Sequence, residues 1–363
     1  MAGNNRILNV GLIGCGEIAQ VVHIPTLGFL SDRFQITYLC DVSADALNHC
    51  HGKIAGKPPL TTTDPAELCA SPTVDVVFVI NSDEYHADHA ILALQNDKHV
   101  FIEKPAALNR QDLQRMKDAE VTSKGKAMVG YMRRYATAFE RAVEEVGGLD
   151  NILYARVRDI IGPNSAFVSQ SGTFPKRFSD FRPEDSADMA KRGDEHVRIG
   201  LKENGVEVSD VNRRFWRYLG GLGSHDLSAM REILGMPTGI HGASATLPFW
   251  NVLFKYPNFT VSYESGIDDV PRFDAHIEVY SKRKTVKVQF DTPYVKGLPI
   301  FLHIVENDSG IYKETTQRLT YEDPYTLEMR RLYEWATAGT PVKTTLEDAE
   351  KDLDVFGMIL KAL

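Results

Sequence analysis

Two short segments contain the residues whose types and spacing could do chemistry. One is the glycine-rich run from Gly14 to Ala19 (GCGEIA), and the other is Glu103 to Pro105 (EKP), which follows an apolar run later in the chain. Glycines at a strand-to-helix turn let backbone amides approach a pyrophosphate at a helix N-terminus. An amine at the end of a later strand can accept a proton from a substrate hydroxyl group. In this order the two segments predict a nicotinamide-dependent oxidoreductase.

The pattern around the first segment predicts a dinucleotide-binding turn. Arg6 to Ile13 is an apolar run rich in branched residues, which is typical of a buried parallel strand. Gly14 permits a tight turn, Gly16 leaves room for a phosphate, and Ala19 is small enough for the following helix to pack on the strand. The alternative is a tight turn that binds no ligand. The cofactor contacts that we expect here are Gly14, Gly16, Glu17, Ile18 and Ala19.

Asp41 is predicted to bind the ribose of the cofactor. It ends the apolar run from Phe34 to Cys40, at about the 20-residue distance from the turn at which a carboxylate accepts hydrogen bonds from the adenosine ribose. Because residues 42–44 include no arginine or lysine for a 2′-phosphate, NAD is the expected cofactor rather than NADP. The alternative is that Asp41 is the N-cap of the next helix.

Length and composition limit the classes of protein that the chain can belong to. A chain of 363 residues is expected to form about two domains. The net charge of −8 argues against a nucleic-acid surface. No apolar stretch approaches the roughly 18 residues that cross a bilayer, and the five residues before the first strand leave no room for a secretory signal. With four cysteines that lack a disulfide-scaffold spacing, these features predict a cytoplasmic protein.

Strand and helix patterns alternate through the first third of the chain. Val74 to Ile80 and Lys98 to Ile102 are predicted strands, and each is followed by a predicted helix. This alternation predicts a doubly wound parallel sheet, a Rossmann domain that spans residues 1–130. Ligands bind such sheets at the carboxyl ends of the strands. The residues expected at those ends are Gly14, Asp41, Asn81, Glu103 and Lys104.

The pattern changes after the predicted Rossmann domain. Asn151 to Ile161 is a predicted long strand, whereas residues 163–217 are polar and charged and predict an insertion, either a partly helical lid or an interface arm. From Gly239 onward, alternating apolar and polar residues predict a mainly antiparallel sheet, and two helices close the chain. The fold class is therefore α/β, with a second α+β domain over residues 131–363.

The residues in these patterns resemble the glucose–fructose oxidoreductase, inositol dehydrogenase and rhizopine-catabolism (Gfo/Idh/MocA) family. The resemblance is specific over residues 6–160 and looser over 217–363. It implies a Rossmann domain and a second domain that binds substrate and packs through an open sheet against another subunit, as a homodimer or homotetramer. The implied substrates are sugars, inositols and related polyols. The matching segments are GLIGCGEIAQVVHIPTL from Gly11, Asp41, NSDEYHADHAILALQNDKHVFIEKP from Asn81, and VGYMRRY from Val129.

The resemblance implies that Lys104 is the catalytic base. Oxidation of a secondary alcohol sends a hydride to the nicotinamide, while a base removes the hydroxyl proton. Burial beside a cationic ring favours the neutral amine that this step needs. The alternative is a surface lysine paired with Glu103. By the same resemblance, His86 lies near the cofactor and Arg134 binds substrate hydroxyls, with Arg133 interpreted as exposed.

The resemblance also implies a second catalytic residue, His225, which matches the histidine of the family's D-x-G-x-H helix start. Gly221 stands where the family often has an acid, so the usual partner of the histidine is missing. Three possibilities stay open: His225 and Lys104 suffice, Asp226 supplies the carboxylate, or Asp159 does so from the predicted substrate site. A simpler interpretation is that His225 only caps its helix.

These observations predict an NAD-dependent dehydrogenase that acts on a cyclic polyol, sugar or glycoside. The missing acid favours, as an alternative, a reductase of C=N or C=C bonds. A non-catalytic nucleotide-binding sensor is the other alternative, which the presence of Lys104 and His225 disfavours. No metal is expected, because His86 and His89 lie on one helix without a third ligand nearby.

Overall fold

The computed structural model describes residues 6–149 and 151–363. Its contacts divide the chain into two compact units. The first runs to Gly130 and also includes residues 173–208 and 329–353. The second comprises residues 131–172, 209–328 and 354–363.

A six-stranded parallel sheet with the order β3-β2-β1-β4-β5-β6 forms the centre of the first unit. β4 is buried at every position, which explains its continuous apolar sequence. The order reverses between β1 and β4, the kind of point at which parallel sheets bind ligands. The predicted Rossmann sheet is confirmed, with two short strands, β3 and β6, that the sequence did not predict. The strands are β1 (Leu8–Ile13), β2 (Phe34–Cys40), β3 (Leu60–Thr62), β4 (Val76–Val79), β5 (His99–Glu103) and β6 (Ala127–Gly130).

The helices of this sheet begin at polar caps that fix where each one starts. Ser43 Oγ accepts the Ala46 amide at 2.9 Å, and Asn109 Oδ1 accepts the Asp112 amide at 2.8 Å. These caps satisfy helix amides that have no partner within the helix. The helices are α1 (Ile24–Phe29), α2 (Ala44–His51), α3 (Pro65–Ala70), α4 (His86–Gln95) and α5 (Arg110–Thr122).

Part of the predicted insertion belongs to the first unit. Helix α8 (Pro183–Glu203) ends at Glu203, whose carboxylate accepts the Arg110 and Gln111 amides at 2.7 and 3.0 Å. Glu203 therefore caps the start of α5. Arg192 of α8 pairs with Asp88 at 2.7 Å. The polar residues of this segment therefore bind the Rossmann helices. The flanking helices α7 (Asn164–Val168) and α9 (Asp210–Tyr218) lie in the second unit.

The C-terminal residues 329–353 also differ from the predicted division at residue 130. Tyr333 donates its hydroxyl to the Arg6 carbonyl at 2.8 Å, and Lys117 pairs with Glu350 at 2.8 Å. These long-range contacts place the segment in the first unit, and spacing along the chain gives no signal for them.

The second unit contains an eight-stranded sheet with the order β14-β13-β12-β11-β7-β10-β9-β8. Every pair is antiparallel except β7 with β10. The mainly antiparallel sheet is as predicted. Strands β8 and β9 pair as a hairpin that turns at Pro248, which lacks the amide that a continuous strand needs. The strands are β7 (Ile152–Ile161), β8 (Gly239–Thr246), β9 (Phe249–Lys255), β10 (Thr260–Ile267), β11 (Phe273–Ser281), β12 (Lys284–Phe290), β13 (Phe301–Asp308) and β14 (Ile311–Gln317).

One face of this sheet is buried, as the alternating pattern of β9 shows. Helix α6 packs on β12 and β13, with Phe139 against Phe290 at a ring-centroid distance of 6.3 Å. No helix in the described ranges is long and apolar enough to cross a membrane. The remaining helices are α6 (Thr137–Gly147), α10 (Ser224–Leu234), α11 (Pro324–Ala338) and α12 (Leu346–Ala362).

Candidate functional site

A cavity of about 570 Å³ lies at the carboxyl edge of the parallel sheet, within the first unit. Its floor is the turn after β1 together with the residues that follow β2 and β4. Its other wall comes from residues 181–189, at the start of α8. The predicted cofactor residues that line it are Gly14, Gly16, Glu17, Ile18, Asp41 and Asn81.

The two glycines of the turn have different physical roles. Gly14 has a φ of +112°, and a Cβ there would lie 2.7 Å from the Asn81 backbone nitrogen. Only glycine fits this position. A Cβ at Gly16 would meet no described atom within 4 Å. Gly16 therefore keeps the cavity open where a pyrophosphate would approach the backbone.

Asp41 holds the turn and faces the cavity. Its Oδ2 accepts the Cys15 amide at 2.7 Å, and its Oδ1 accepts the Ser43 amide at 2.9 Å. Burial raises the pKa of Asp41, and these two hydrogen bonds partly offset that effect. Because each carboxylate oxygen accepts more than one hydrogen bond, capacity remains for ribose hydroxyls. The N-cap of α2 is Ser43, so the alternative role of Asp41 as a helix cap is wrong. The turn, the carboxylate and the cavity fit a bound NAD.

Lys104 follows β5 directly, at the same edge of the sheet. Its backbone amide donates to Glu103 Oε2 at 3.1 Å, and His23 Nε2 donates to Glu103 Oε1 at 2.8 Å. Burial raises the pKa of Glu103, but the His23 hydrogen bond and the positive charge of Lys104 outweigh it, so the net pKa is lowered. Glu103 is buried and lies outside the cavity lining. It fixes the backbone that carries Lys104.

Three further residues predicted to contact the cofactor lie outside the cavity lining: His86, Ala19 and Lys104. His86 is buried, with Nδ1 2.9 Å from the Pro105 carbonyl oxygen and Nε2 3.1 Å from the Asn81 carbonyl oxygen. It therefore connects the ends of β4 and β5. Ala19 is buried behind the turn.

His89 lines the cavity, a position that was not predicted from the sequence. Burial lowers the pKa of His89 to about 4. The neutral ring accepts the Asn81 side-chain amide at Nδ1, at 3.2 Å. Its position three residues after His86 on α4 was the available signal. In the described part of the chain, no cluster of residues could hold a metal ion.

The second unit places His225 near the start of α10. The N-cap residue of α10 is Gly223, and no side chain caps this helix through a hydrogen bond at that position. The interpretation of His225 as the helix cap is therefore wrong. Gly221 is exposed, and a Cβ there would meet no described atom within 4 Å. A Cβ at Gly221 is therefore not excluded by its surroundings, and the absence of the acid usual there is not imposed by a clash at that atom.

A buried ionic cluster occupies the core of the same unit. Arg133 Nη1 donates to Asp159 Oδ2 at 3.2 Å and to Asp226 Oδ1. The Arg133 guanidinium lies 5.4 Å from the ring centroids of Phe273 and of Phe290. Burial raises the pKa of Asp226 well above its ordinary value, and the negative charge of Asp159 adds to this while Arg133 opposes it. Arg133 is buried, so the interpretation of Arg133 as exposed is wrong.

This cluster bears on the residues predicted to bind substrate. Asp159 is 0 % exposed, and both Asp159 and Asp226 bind Arg133. Arg134 is also buried, and its Nε donates to Glu232 at 2.6 Å. These placements speak against Asp159 and Arg134 as substrate ligands, and against either aspartate as a replacement for the acid missing at Gly221.

Comparison with known proteins shows where the chain has relatives. Residues 8–131 match the family model described as an oxidoreductase family with an NAD-binding Rossmann fold, GFO_IDH_MocA. The chain is 31% identical to a myo-inositol 2-dehydrogenase of Thermotoga maritima over 171 residues, 46% of this chain and 49% of that protein. It is 35% identical to an inositol 2-dehydrogenase of Salmonella typhimurium over 130 residues, 35% of this chain and 38% of that protein. The chain spans about half or less of the length of these relatives.

Solved structures resemble the chain over its length. KijD10, a 3-ketoreductase from Actinomadura kijaniata in complex with NADP and TDP-benzene, has a TM-score of 0.71 at 15% identity, covering 98% of each chain. A probable dehydrogenase from Thermotoga maritima has a TM-score of 0.67 at 20% identity, covering 98% of this chain and 97% of that one. At this identity the likeness shows the fold alone.

Proposed function

We propose that the chain is a member of the Gfo/Idh/MocA oxidoreductase family, and that it is an NAD-dependent dehydrogenase acting on a secondary alcohol of an inositol, sugar or related cyclic polyol. The observation that carries the proposal is the position of Lys104. It follows β5 at the sheet edge where the turn after β1 and Asn81 after β4 line the cavity. The inositol dehydrogenases at 31% and 35% identity support the substrate class.

Different residues of the first unit bind the cofactor and transfer the proton. The turn at Gly14 and Gly16 binds the pyrophosphate through its amides, and Asp41 binds the adenosine ribose. NAD, when bound, supplies the hydride acceptor. The Lys104 amine takes the proton of the substrate hydroxyl, while Glu103 holds the backbone of that lysine through its bond to the Lys104 amide.

The proposed activity is tested with a panel of inositols, sugars and glycosides, each with NAD and with NADP, followed by the absorbance of the reduced nicotinamide. We expect reduction of NAD with at least one cyclic polyol. Reduction of NAD by none of them, together with oxidation of NADH by imines or enones, would overturn the proposal in favour of a reductase.

We expect NAD to bind at least about ten-fold more tightly than NADP, roughly 1.4 kcal/mol. The reason is that the Asp41 carboxylate repels a 2′-phosphate, and residues 42–44 offer no cation to compensate. Calorimetric titration measures both affinities. Asp41→Asn should narrow the ratio, whereas Asp118→Asn on the exposed face of α5 should leave it unchanged. Equal affinities in the wild type would contradict the role of Asp41.

We further propose that His225 contributes to proton transfer. His225→Ala should lower kcat/KM by at least about ten-fold, a modest share of what a positioned acid–base group contributes. The matched control is His241→Ala, at an exposed histidine of β8 in the same unit. Steady-state kinetics on the panel substrate, with circular dichroism to verify folding, make the comparison.

The arrangement around Gly221 keeps a reductase of C=N or C=C bonds as the second candidate. Asp159 and Asp226, the two candidate replacements for the missing acid, are both bound to Arg133. A reductase takes its proton from Lys104 or solvent and does not need that acid. Full activity of His225→Ala would favour this candidate.

For the assembly, we propose a homodimer or homotetramer formed through the eight-stranded sheet. The supporting observation is that β9 alternates between buried and exposed residues, and its exposed positions include Phe249 and Leu253. Exposed aromatic and aliphatic residues on one sheet face are the kind of surface that a second subunit covers.

A further inference from the structure

Residues 173–189, here called the strap, pack on the turn and on α2 of the Rossmann fold. The Gln20 side chain, which is 1% exposed, donates to the Lys176 carbonyl at 3.0 Å and accepts the Lys176 amide at 2.8 Å. Lys53 Nζ donates to the Thr173 carbonyl. The buried side-chain amide of Gln20 thus both donates to and accepts from the backbone of one strap residue, which indicates a specific contact.

The strap places a second carboxylate beside Asp41. Asp180 accepts the Ser43 hydroxyl and, through Oδ2, the Asp45 amide at 3.0 Å. Both donors lie at the first turn of α2, immediately after Asp41. A hydroxyl group and a helix amide at this position are the donors that a 2′-phosphate on the adenosine ribose would use. Asp180 already occupies them.

Two arginines of the strap are bound to carboxylates other than Asp180. Arg177 pairs with Glu17 at 3.4 Å, and Arg182 pairs with Asp185 at 2.7 Å. Asp180 is close enough to Asp41 for its negative charge to contribute to the raised pKa of Asp41. Two neighbouring carboxylates, Asp41 and Asp180, therefore bind the backbone amides at the start of α2.

We propose that Asp180 is a second determinant of cofactor selectivity, which excludes NADP by occupying the donors of Ser43 and Asp45 and by repelling a 2′-phosphate. This inference rests on the proposed NAD-dependent function. It assigns part of the selectivity to the strap, far from Asp41 along the chain. NAD lacks the 2′-phosphate, so Asp180 leaves its binding unimpeded.

The experiment compares the dissociation constants of NAD and NADP for the wild type and Asp180→Asn, by calorimetry on the full chain. Asparagine removes the charge and keeps one carbonyl oxygen, which can accept one of the two hydrogen bonds that Asp180 accepts from Ser43 and Asp45. We expect NADP to bind about ten-fold more tightly to Asp180→Asn, since a like charge beside the phosphate is removed, and NAD to change by less than about three-fold. Asp41→Asn combined with Asp180→Asn should favour NADP more than either change alone, because each change removes a negative charge that would repel a 2′-phosphate.

The matched control is Asp118→Asn, which removes one negative charge from the exposed face of α5, outside the cavity lining. A gain in NADP affinity confined to Asp180→Asn supports the proposal. An equal gain in NADP affinity in both variants would show an effect of net charge alone and would overturn the proposal. An unchanged NADP affinity in Asp180→Asn, while NAD still binds, would also overturn it. A wild type that binds neither cofactor would overturn the proposed function as well, so the two failures are distinguishable.

Discussion

Replacement of Lys104 by methionine is expected to lower turnover by on the order of 10²–10⁴-fold, the usual contribution of a positioned acid–base group. Methionine keeps the length of the side chain but has no group that accepts a proton. The affinity for NAD should change much less, because the cavity lining consists of other residues. Single-turnover kinetics, read by absorbance of the reduced nicotinamide, measure the chemical step separately from product release.

The matched control for Lys104 is Lys124→Met, at an exposed lysine of the same unit that pairs with Asp97 at 3.2 Å. Its turnover should equal that of the wild type. If Lys104→Met keeps more than about a tenth of wild-type turnover under chemistry-limited conditions, Lys104 is not the base. A lost turnover accompanied by an equal loss of NAD affinity would also contradict the assignment, because it would indicate damage to the cofactor site.

Local patterns were sufficient to predict the parallel sheet and the cofactor turn. Strands that are buried on both faces have continuous apolar sequences, and β2 was predicted with the bounds that the structure shows. Gly14 is required by a backbone conformation that is local to the turn. Asp41 ends a strand, so its place at the sheet edge follows from the topology.

The strap and the ionic cluster could not be predicted in the same way, because their partners are distant along the chain. Asp180 binds Ser43 across 137 residues, and Arg133 binds Asp226 across 93 residues. A polar segment indicates solvent exposure unless its partners are known. Charged side chains can be buried when the fold brings them to a partner of opposite charge or to a hydrogen-bond donor. A single sequence does not indicate which distant residues become such partners.

Arg133→Met is expected to destabilise the second unit by about 3–5 kcal/mol, the usual consequence of removing one partner from a buried ion pair. Without the guanidinium, the charge of Asp159 stays buried without its cation, since Asp159 is 0% exposed. Urea unfolding followed by circular dichroism measures the free energy of unfolding. Arg141→Met is the matched control, because Arg141 forms exposed pairs with Glu144 and Glu145 in the same unit and should contribute far less.

Asp226→Asn tests the charge state of the same cluster. Asparagine has the shape of the neutral carboxyl group, so this variant should unfold close to the wild type at acidic pH. The pKa of Asp226 is raised in the folded state, so its contribution to stability is present below the unfolded pKa of about 3.9 and is lost as the pH rises toward the folded pKa. Asparagine does not titrate, and Asp226→Asn should therefore gain stability relative to the wild type as the pH rises. If Asp226→Asn instead loses stability relative to the wild type as the pH rises, Asp226 is ionised in the folded protein. Equal losses of unfolding free energy in Arg133→Met and Arg141→Met would show that Arg133 is not the cation that compensates the buried aspartates.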